Sequence, residues 1–372
     1  FFEHMMFNGT EDLAPGEFDR IMQAAGGANN AYTSNDVTVY QDWFPRAALE
    51  TIIRLEADRL QNLSFEDEAI ESERGVVAAE RRTRVDNNNQ QRLLEQMYAT
   101  AYIAHPYQFP TIGWPSDIAS WTRQDLESFY QTFYAPNNCT MIFTGDVTPA
   151  EIFELAEEYL AAIPAQDPPA PVRTIEPPQQ GERRVRLEIP AQTPLLHMAF
   201  HAGSAADRAT RALDLLLSIL VTGDSSRLHR ALVEDSQSAI AVGGWQDEGF
   251  DPGLVYFFAT LPQGGDPDLV ERQLLAELER VVSAGVTESE LTKARNILLA
   301  DFWRDLATID GKAAALGEFE VFHGNYELLF DLPGLVEKIT AADLQAAAAR
   351  VFRRGNATIG VVEAPEVEED SQ

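Results

Sequence analysis

The first residues of the chain place a carboxylate directly before an imidazole, Glu3 and His4, within the stretch FFEHMMFNGT. Two further carboxylates, Glu73 and Glu80, lie seven positions apart in the stretch ESERGVVAAERR. On a helix, side chains seven residues apart share one face. Histidine and carboxylate side chains are common zinc ligands, and a neighbouring glutamate can act as a general base. These four residues together predict a metal-dependent hydrolytic site, whereas the Glu-His dipeptide alone fits a surface helix end equally well.

The metal motif is incomplete in the sequence as it stands. A catalytic zinc ion takes about three protein ligands and keeps one position for water. A histidine immediately before Phe1 would share a helical face with His4 and would complete the inverted zincin pattern H-x-x-E-H. We therefore expect that the chain is truncated at its N-terminus and that this fragment is impaired in zinc binding and in catalysis.

Helices and a strand are predicted around these residues. The stretch GGANNAYTSNDVTVYQDWF predicts a turn and then an alternating strand over about 31–44, where an extended peptide could be held. Apolar residues at helical spacing predict helices over about 47–62 and 67–86, and the second of these carries Glu73 and Glu80. Further segments of the first half are predicted as helices over 93–104, 121–134 and 151–162 and as a strand over 141–147.

The second half of the chain repeats the organisation of the first. Five identities recur at a constant offset of 218 positions (340 − 122 = 218), namely T-x-x-D-L from 122 and 340 and N-x-T from 138 and 356. Such regularity indicates an internal duplication. Helices with interspersed short strands favour an α+β fold over a doubly wound parallel sheet. We expect two homologous domains, each a mostly antiparallel sheet packed with helices.

The domain boundaries follow from composition. A proline-rich stretch, AQDPPAPVRTIEPPQQGERR, predicts an extended linker. We therefore predict an N-terminal zinc-binding peptidase domain over 1–165, a linker over 166–186, a C-terminal peptidase-like domain over 187–364 and an acidic tail over 365–372.

Charge and cysteine content exclude several classes of protein. The 28 Lys and Arg residues against 59 Asp and Glu residues give a net charge of −31, which argues against a nucleic-acid partner. The acidic surface could attract basic peptides, although a solubilising surface is the commoner role. One cysteine excludes an intramolecular disulfide framework. No run approaches the roughly 18 to 20 apolar residues that a membrane-spanning helix needs.

Taken together, the motifs resemble the pitrilysin/insulinase family of zinc peptidases, in particular its half-length members similar to subunits of mitochondrial processing peptidase. The resemblance covers nearly the whole chain and is carried by FFEHMMFNGT, GGANNAYTSNDVTVY, ESERGVVAAERR, HPYQFPTIGWPSDI and FYQTFYAPNNCTMIFTGDV. It implies that His4 and Glu80 are zinc ligands. It also implies that Glu3 is the base that activates a zinc-bound water, and that Glu73 orients a ligating histidine.

The resemblance also implies how substrate and partner would bind. Asn30 and Ala31 correspond to the residues that bind the substrate backbone by strand addition. The family's transition-state-stabilising Arg and Tyr, seven residues apart, are replaced here by Val233 and Ile240. Neither side chain can donate a hydrogen bond. We therefore expect that a second family subunit, or a lost C-terminal half, supplies the Arg-Tyr pair.

The expected function is that of a zinc metalloendopeptidase, the metal-bearing subunit or half of a heterodimer, acting on peptides or unfolded segments. The alternative is a non-catalytic scaffold or assembly subunit of the same fold. Retention of all four metal-site residues favours the enzyme, and the replaced Arg-Tyr pair argues weakly against it. By analogy with bacterial half-length members, we expect a periplasmic location.

Overall fold

The computed structural model describes residues 1–365, so the predicted acidic tail lies outside the described residues except for its first position. The chain divides into two compact units. The first unit comprises Phe1–Arg84, Pro110–Arg173 and Leu306–Val321. The second comprises Val85–Phe109, Thr174–Asp305 and the residues from Phe322 onward. This division differs from the linear boundaries that we predicted, because each unit includes a segment from the other half of the sequence.

The helices are α1 (Phe2–Met5), α2 (Glu17–Ala24), α3 (Leu49–Gln61), α4 (Asp67–Arg81), α5 (Asn89–Ala101), α6 (Pro115–Ser120), α7 (Arg123–Phe133), α8 (Pro149–Tyr159), α9 (Thr210–Val221), α10 (Pro267–Ala284), α11 (Glu288–Asp305), α12 (Ile309–His323), α13 (Leu328–Lys338) and α14 (Ala341–Val351). The strands are β1 (Ala28–Thr33), β2 (Thr38–Trp43), β3 (Arg183–Glu188), β4 (Leu195–His201), β5 (Ala241–Gln246), β6 (Leu254–Thr260) and β7 (Ala357–Glu363). Two π-helical segments, Arg82–Asp86 and His229–Asp235, extend the helical regions.

The first unit contains an antiparallel hairpin surrounded by helices. Strands β1 and β2 pair from Ala28 opposite Trp43 to Thr33 opposite Thr38. The prediction of one strand over 31–44 was wrong, because a turn closed by the Ser34 N–H and the Val37 carbonyl divides the stretch in two. The strand predicted over 141–147 was also wrong, since those residues are described and form no regular secondary structure.

The second unit is built on a five-stranded sheet of order β3-β7-β4-β6-β5. Strands β3 and β7 are parallel, and the other neighbours are antiparallel. Helix α5 packs on one face of this sheet, where Met97 belongs to a buried cluster with Leu195, Ala199 and Tyr256. A side chain at Gly360 of β7 would place its Cβ 2.5 Å from Sδ of Met97, so glycine permits the close approach of α5. Sheets packed with helices confirm the predicted α+β class.

Equivalent positions of the two halves make equivalent contacts. Thr122 and Thr340 each form a capping box, with Asp125 and Asp343 three residues later. The side-chain amide of Asn138 donates to the carbonyl of Phe133 at 2.9 Å. Asn356 donates in the same way to Val351, also at 2.9 Å. The duplication therefore extends from sequence identities to the hydrogen bonds that end each helix.

Helices α5 and α12 occupy equivalent positions in the two halves of the sequence, but each belongs to the unit that the other half mainly forms. Helix α5 begins at Asn89, and the offset of 218 leads to position 307, two residues before the start of α12. Helix α5, from the first half, belongs to the second unit, and residues 309–321 of α12, from the second half, belong to the first. In the first unit, Gly317 of α12 faces Ile142, whose equivalent at the same offset is Gly360.

Part of the predicted linker is fixed to the second unit. The Glu176 carboxylate accepts hydrogen bonds from the N–H groups of Ile103, Ala104 and His105 at about 3 Å. The Gln179 side-chain amide donates to the Ala357 carbonyl at 2.8 Å. These contacts hold the segment that follows Thr174 in place. Within residues 1–365, no helix combines the length and the apolar character that crossing a bilayer requires.

Candidate metal and catalytic site

Helix α1 positions Glu3 and His4. Phe2 and Met5, three residues apart on one side of this short helix, are 8% and 0% exposed. Phe2 packs against the ring of Tyr134 with a centroid separation of 4.5 Å. Burial of this apolar side leaves Glu3 and His4 on the partly exposed side.

Helix α4 presents the two other carboxylates. Ile70 and Val77, seven residues apart, are buried and fix the inner face of the helix. Glu73 and Glu80 have the same spacing of seven residues and are offset by three positions from that inner face, so they share a second face. Sequence periodicity alone predicted this shared face, and the structure confirms it.

The imidazole of His4 lies between these two carboxylates. Its Nδ1 is 3.1 Å from Oε2 of Glu73, and its Nε2 is 3.1 Å from Oε2 of Glu80. The hydrogen bond with Glu73 is the main reason that the pKa of His4 is raised above its usual value. The structure therefore brings together three side chains that the sequence separates by 69 and 76 positions.

The spacing of the donor atoms fits two ligands of a zinc ion. Two ligands bound to one tetrahedral zinc ion at about 2.0–2.1 Å lie about 3.3 Å apart. Nε2 of His4 and Oε2 of Glu80 are 3.1 Å apart, so a small movement would place both on one ion. Within residues 1–365, no group of three or more His, Cys, Asp or Glu side chains is arranged to hold a metal ion. The described residues thus fit zinc as a partial ligand set.

Glu3 contacts the hairpin rather than the histidine. Its Oε2 accepts a hydrogen bond from the Thr33 hydroxyl at the end of β1. Thr33 has no signal in the sequence, since nothing in the linear pattern connects residues 30 positions apart. Arg84 forms an ion pair with Oε1 of Glu80 at 3.0 Å and was also not predicted. The spacing of four residues on a helix is a signal that could have indicated this pair.

The predicted substrate-binding residues lie on an edge strand. Asn30 pairs with Gln41 and Ala31 pairs with Tyr40 across the hairpin. Among residues 1–365, β2 is the strand that pairs with β1, and the opposite edge of β1 has no partner strand. The strand that carries Asn30 and Ala31 ends at Thr33, which binds Glu3. An extended peptide added to this edge would therefore run toward the carboxylate of Glu3.

The replacements for the expected Arg-Tyr pair lie in the second unit. Val233 is in the π-helical segment His229–Asp235 and is partly buried. Ile240 is 57% exposed and precedes β5. Both side chains are hydrocarbon, so neither position supplies a hydrogen-bond donor from its side chain.

Two family models match the chain. Residues 1–113 match a model described as insulinase (peptidase family M16), and residues 120–298 match one described as the peptidase M16 inactive domain. The chain is 31% identical to the zinc protease PqqE of Helicobacter pylori over 333 residues. This alignment covers 86% of the chain and 72% of that protein.

Two further comparisons extend over nearly the whole chain. The β subunit of the mitochondrial-processing peptidase of Lentinula edodes is 24% identical over 367 residues, covering 94% of this chain and 77% of that protein. A crystal structure of a protease from Helicobacter pylori superimposes with a TM-score of 0.93 at 28% identity, covering 97% of this chain and 88% of that one.

Proposed function

The chain belongs to the peptidase M16 family, and from that membership we propose that it is the metal-bearing subunit or half of a zinc-dependent endopeptidase acting on peptides or unfolded segments. The observation that carries the proposal is the position of the His4 imidazole between Glu73 and Glu80, at 3.1 Å from each. Similarity to proteins named zinc proteases supports the choice of metal and reaction.

In this proposal, His4 and Glu80 are two of the zinc ligands, through Nε2 and a carboxylate oxygen. Glu73 accepts a hydrogen bond from Nδ1 of His4, which fixes the ring orientation and leaves Nε2 free to bind. A catalytic zinc ion takes about three protein ligands, so the proposed set requires a third ligand besides these two. When bound, zinc polarises the scissile carbonyl and lowers the pKa of water.

Glu3 is the proposed general base. Its Oε2 accepts a hydrogen bond from the Thr33 hydroxyl, which holds the carboxylate at the end of β1. A carboxylate at this position takes a proton from the attacking water and gives it to the nitrogen of the leaving amine. The proton that leaves the water is therefore the one that reaches the amine.

Substrate would bind by addition to the free edge of β1, and this supports roles for Asn30 and Ala31. Strand addition uses main-chain hydrogen bonds, so these positions would contribute affinity rather than side-chain selectivity. The absence of a β1 partner within residues 1–365, other than β2, is the observation that favours this mode.

A partner is proposed because Val233 and Ile240 cannot stabilise developing negative charge by hydrogen bonds from their side chains. We propose that a second family subunit, or a further half of the polypeptide, supplies an Arg-Tyr pair. Full activity of the metal-loaded chain without any other protein would contradict this. A periplasmic location stays a prediction.

A non-catalytic role is the second candidate, because residues 120–298 match a model described as an inactive domain. That match, however, does not include Glu3, His4, Glu73 or Glu80. Residues 1–113, which contain all four, match the insulinase model. The distribution of the two matches therefore favours the enzyme.

A pair of variants tests the proposal in the full-length protein. Glu3→Gln should retain zinc and lose peptide hydrolysis, because glutamine cannot take a proton from water. Glu80→Gln should lose zinc as well. Hydrolysis by the Glu3→Gln protein at the wild-type rate would exclude Glu3 as the base, and failure of the full-length protein to bind zinc would favour the non-catalytic role.

A further inference from the structure

Helix α11 of the second unit buries one face and leaves the opposite face uncovered. On the inner face, Leu291 and Ala294 are 0% and 1% exposed. On the outer face, Ser289, Thr292 and Asn296 are exposed, so no element within residues 1–365 covers them. A surface depression of about 700 Å³ follows this outer face along most of the 18-residue helix.

The outer face carries small side chains near its N-terminal end and a large one near its C-terminal end. Ser289, Thr292 and Asn296 recur at spacings of three and four residues, and Trp303 follows seven residues after Asn296. Residues at these spacings lie on the same side of a helix. Trp303 is 60% exposed. The same face therefore has a shallow depression at one end and an aromatic side chain that could fill such a depression at the other.

Four charged side chains line the depression, and their signs alternate along the helix. They are Glu288, Lys293, Asp301 and Arg304, so this face has no net charge although the chain carries −31. Within the chain, Arg304 pairs with Asp301, and Lys293 donates to the Ser225 hydroxyl. Two acidic molecules repel each other least where their surfaces are neutral. The charges of this face therefore favour contact with a second copy of the chain over contact with a basic protein.

Two α11 helices packed antiparallel bring the opposite charges together. When a two-fold axis passes between positions 296 and 297, residue i of one copy faces residue 593 − i of the other. Lys293 then faces position 300, one residue from Asp301, and Glu288 faces position 305, one residue from Arg304. A parallel arrangement places each charge beside its own counterpart, so the signs favour the antiparallel one.

We propose that the outer face of α11 is a homodimer interface, on which a second copy of the chain packs its own α11 antiparallel to the first. Trp303 of each copy covers the small Ser289 side chain of the other, and the small residues let the helix axes approach to about 8 Å. One helix pair buries less than the roughly 1,200 Å² of a standard interface, so the dimer is weak.

The homodimer is separate from the proposed function. None of the residues on this face belongs to the metal site, so hydrolysis and dimerisation can fail independently. A second copy also carries Val233 and Ile240. It therefore cannot replace the proposed subunit or half that supplies an Arg-Tyr pair.

Charge reversal tests whether the charges face each other. Lys293→Glu and Asp301→Lys should each weaken the dimer by about 10-fold, because each change places like charges together on both sides of the two-fold axis. The double variant should recover the wild-type dissociation constant. An equimolar mixture of the two single variants should also recover it, as a mixed dimer. Sedimentation equilibrium at rising protein concentration measures each constant.

Arg272→Glu is the matched control for these variants. It makes the same change of charge as Lys293→Glu, at an exposed position of α10. Its dissociation constant should equal that of the wild type, and thermal unfolding of every variant checks that the fold is kept. A wild-type protein that stays monomeric at every concentration would overturn the proposal. So would a double variant that associates no better than the single ones.

Cysteine cross-linking tests the direction of packing. Cys139 is free and exposed, so the experiment uses a Cys139→Ser background. Position 296 lies beside the axis, and Asn296→Cys should cross-link to its own counterpart with a thiol reagent of about 10 Å reach. The two copies of position 289 lie about 22 Å apart at about 1.5 Å per residue, so Ser289→Cys should not cross-link. Cross-linking at both positions would indicate parallel helices, and cross-linking at neither would exclude this interface.

Discussion

The Glu73 carboxylate lies 3.1 Å from Nδ1 of His4, while Glu80 lies 3.1 Å from the other ring nitrogen. One carboxylate therefore fixes the ring, and the other lies beside the ring nitrogen that we propose as a zinc ligand. Glu73→Gln should weaken zinc binding by about 10- to 100-fold, because the hydrogen bond that orients His4 loses its charge. Zinc titration of the full-length protein measures the change.

Glu68→Gln is the matched control for this prediction. It removes the same charge from the same helix at an exposed position. Its zinc affinity should equal that of the wild type. A similar loss in both variants would show that net charge, and not the contact with His4, determines affinity.

Titration of the Asp42 carboxyl group should lower the stability of the protein toward alkaline pH. Burial, with the neighbouring Glu56 carboxylate, raises the pKa of Asp42 to about 8, despite the nearby Arg59. The folded state therefore holds a proton that the unfolded chain releases near pH 4. The contribution of Asp42 to stability should fall as the pH rises from about 4 to about 8, by at most about 1.4 kcal/mol per pH unit, and then level off.

Thermal unfolding at several pH values checks this. The Tm of Asp42→Asn relative to that of the wild type should rise as the pH rises through this range, and should exceed the wild-type Tm at pH 8. Asp12→Asn, at an exposed carboxylate, should keep the wild-type slope. An Asp42→Asn protein with the wild-type pH profile would contradict the protonated state of Asp42.

Titration of the His197 imidazole should lower the stability of the protein at acidic pH. Its side chain is 1% exposed and its Nδ1 lies 2.7 Å from the Tyr256 hydroxyl. Burial lowers the pKa of His197 to about 4, so the unfolded chain binds a proton more readily than the folded protein. The contribution of His197 to stability should fall as the pH drops from about 6.5 to about 4, the range over which the contribution of Asp42 rises.

Urea unfolding between these pH values measures the effect. The stability of His197→Gln relative to that of the wild type should rise as the pH drops through this range, even if the substitution lowers stability at neutral pH. His229→Gln, at a histidine that is not fully buried in the same unit, is the comparison and should leave the dependence as it is. An unchanged slope in His197→Gln would assign the acid sensitivity to other groups.

Gly360 allows α5 to pack closely on the sheet of the second unit. A Cβ at this position would lie 2.5 Å from Sδ of Met97 and 2.9 Å from Cδ1 of Leu93. Gly360→Ala should destabilise the protein by about 1 to 3 kcal/mol, because the helix would have to move.

Chemical denaturation quantifies this cost. Gly355→Ala, where no heavy atom lies within 4 Å of the added Cβ, should change stability much less. Equal stability of the two variants would mean that the sheet and α5 adjust without strain.

Local sequence patterns determined much of the secondary structure and half of the site. Helical spacing of apolar residues located α3 and α4, and the T-x-x-D pattern located both capping boxes, because these features depend on residues a few positions apart. Helical periodicity also placed Glu73 and Glu80 on one face. The family resemblance linked them to His4.

Tertiary structure decided which surfaces meet. The apolar face of α5 shows that the helix is buried, but periodicity cannot say which sheet covers it, and the linear boundaries therefore missed the exchange with α12. The contact of Glu3 with Thr33 depends on the turn that folds β2 against β1, which the prediction of a single strand did not contain. The sequence by itself determined the positions of the imidazole and the carboxylates that we propose bind metal and transfer protons. Only the folded chain decided how the Glu3 carboxylate is held, because its hydrogen bond comes from the Thr33 hydroxyl, 30 positions away.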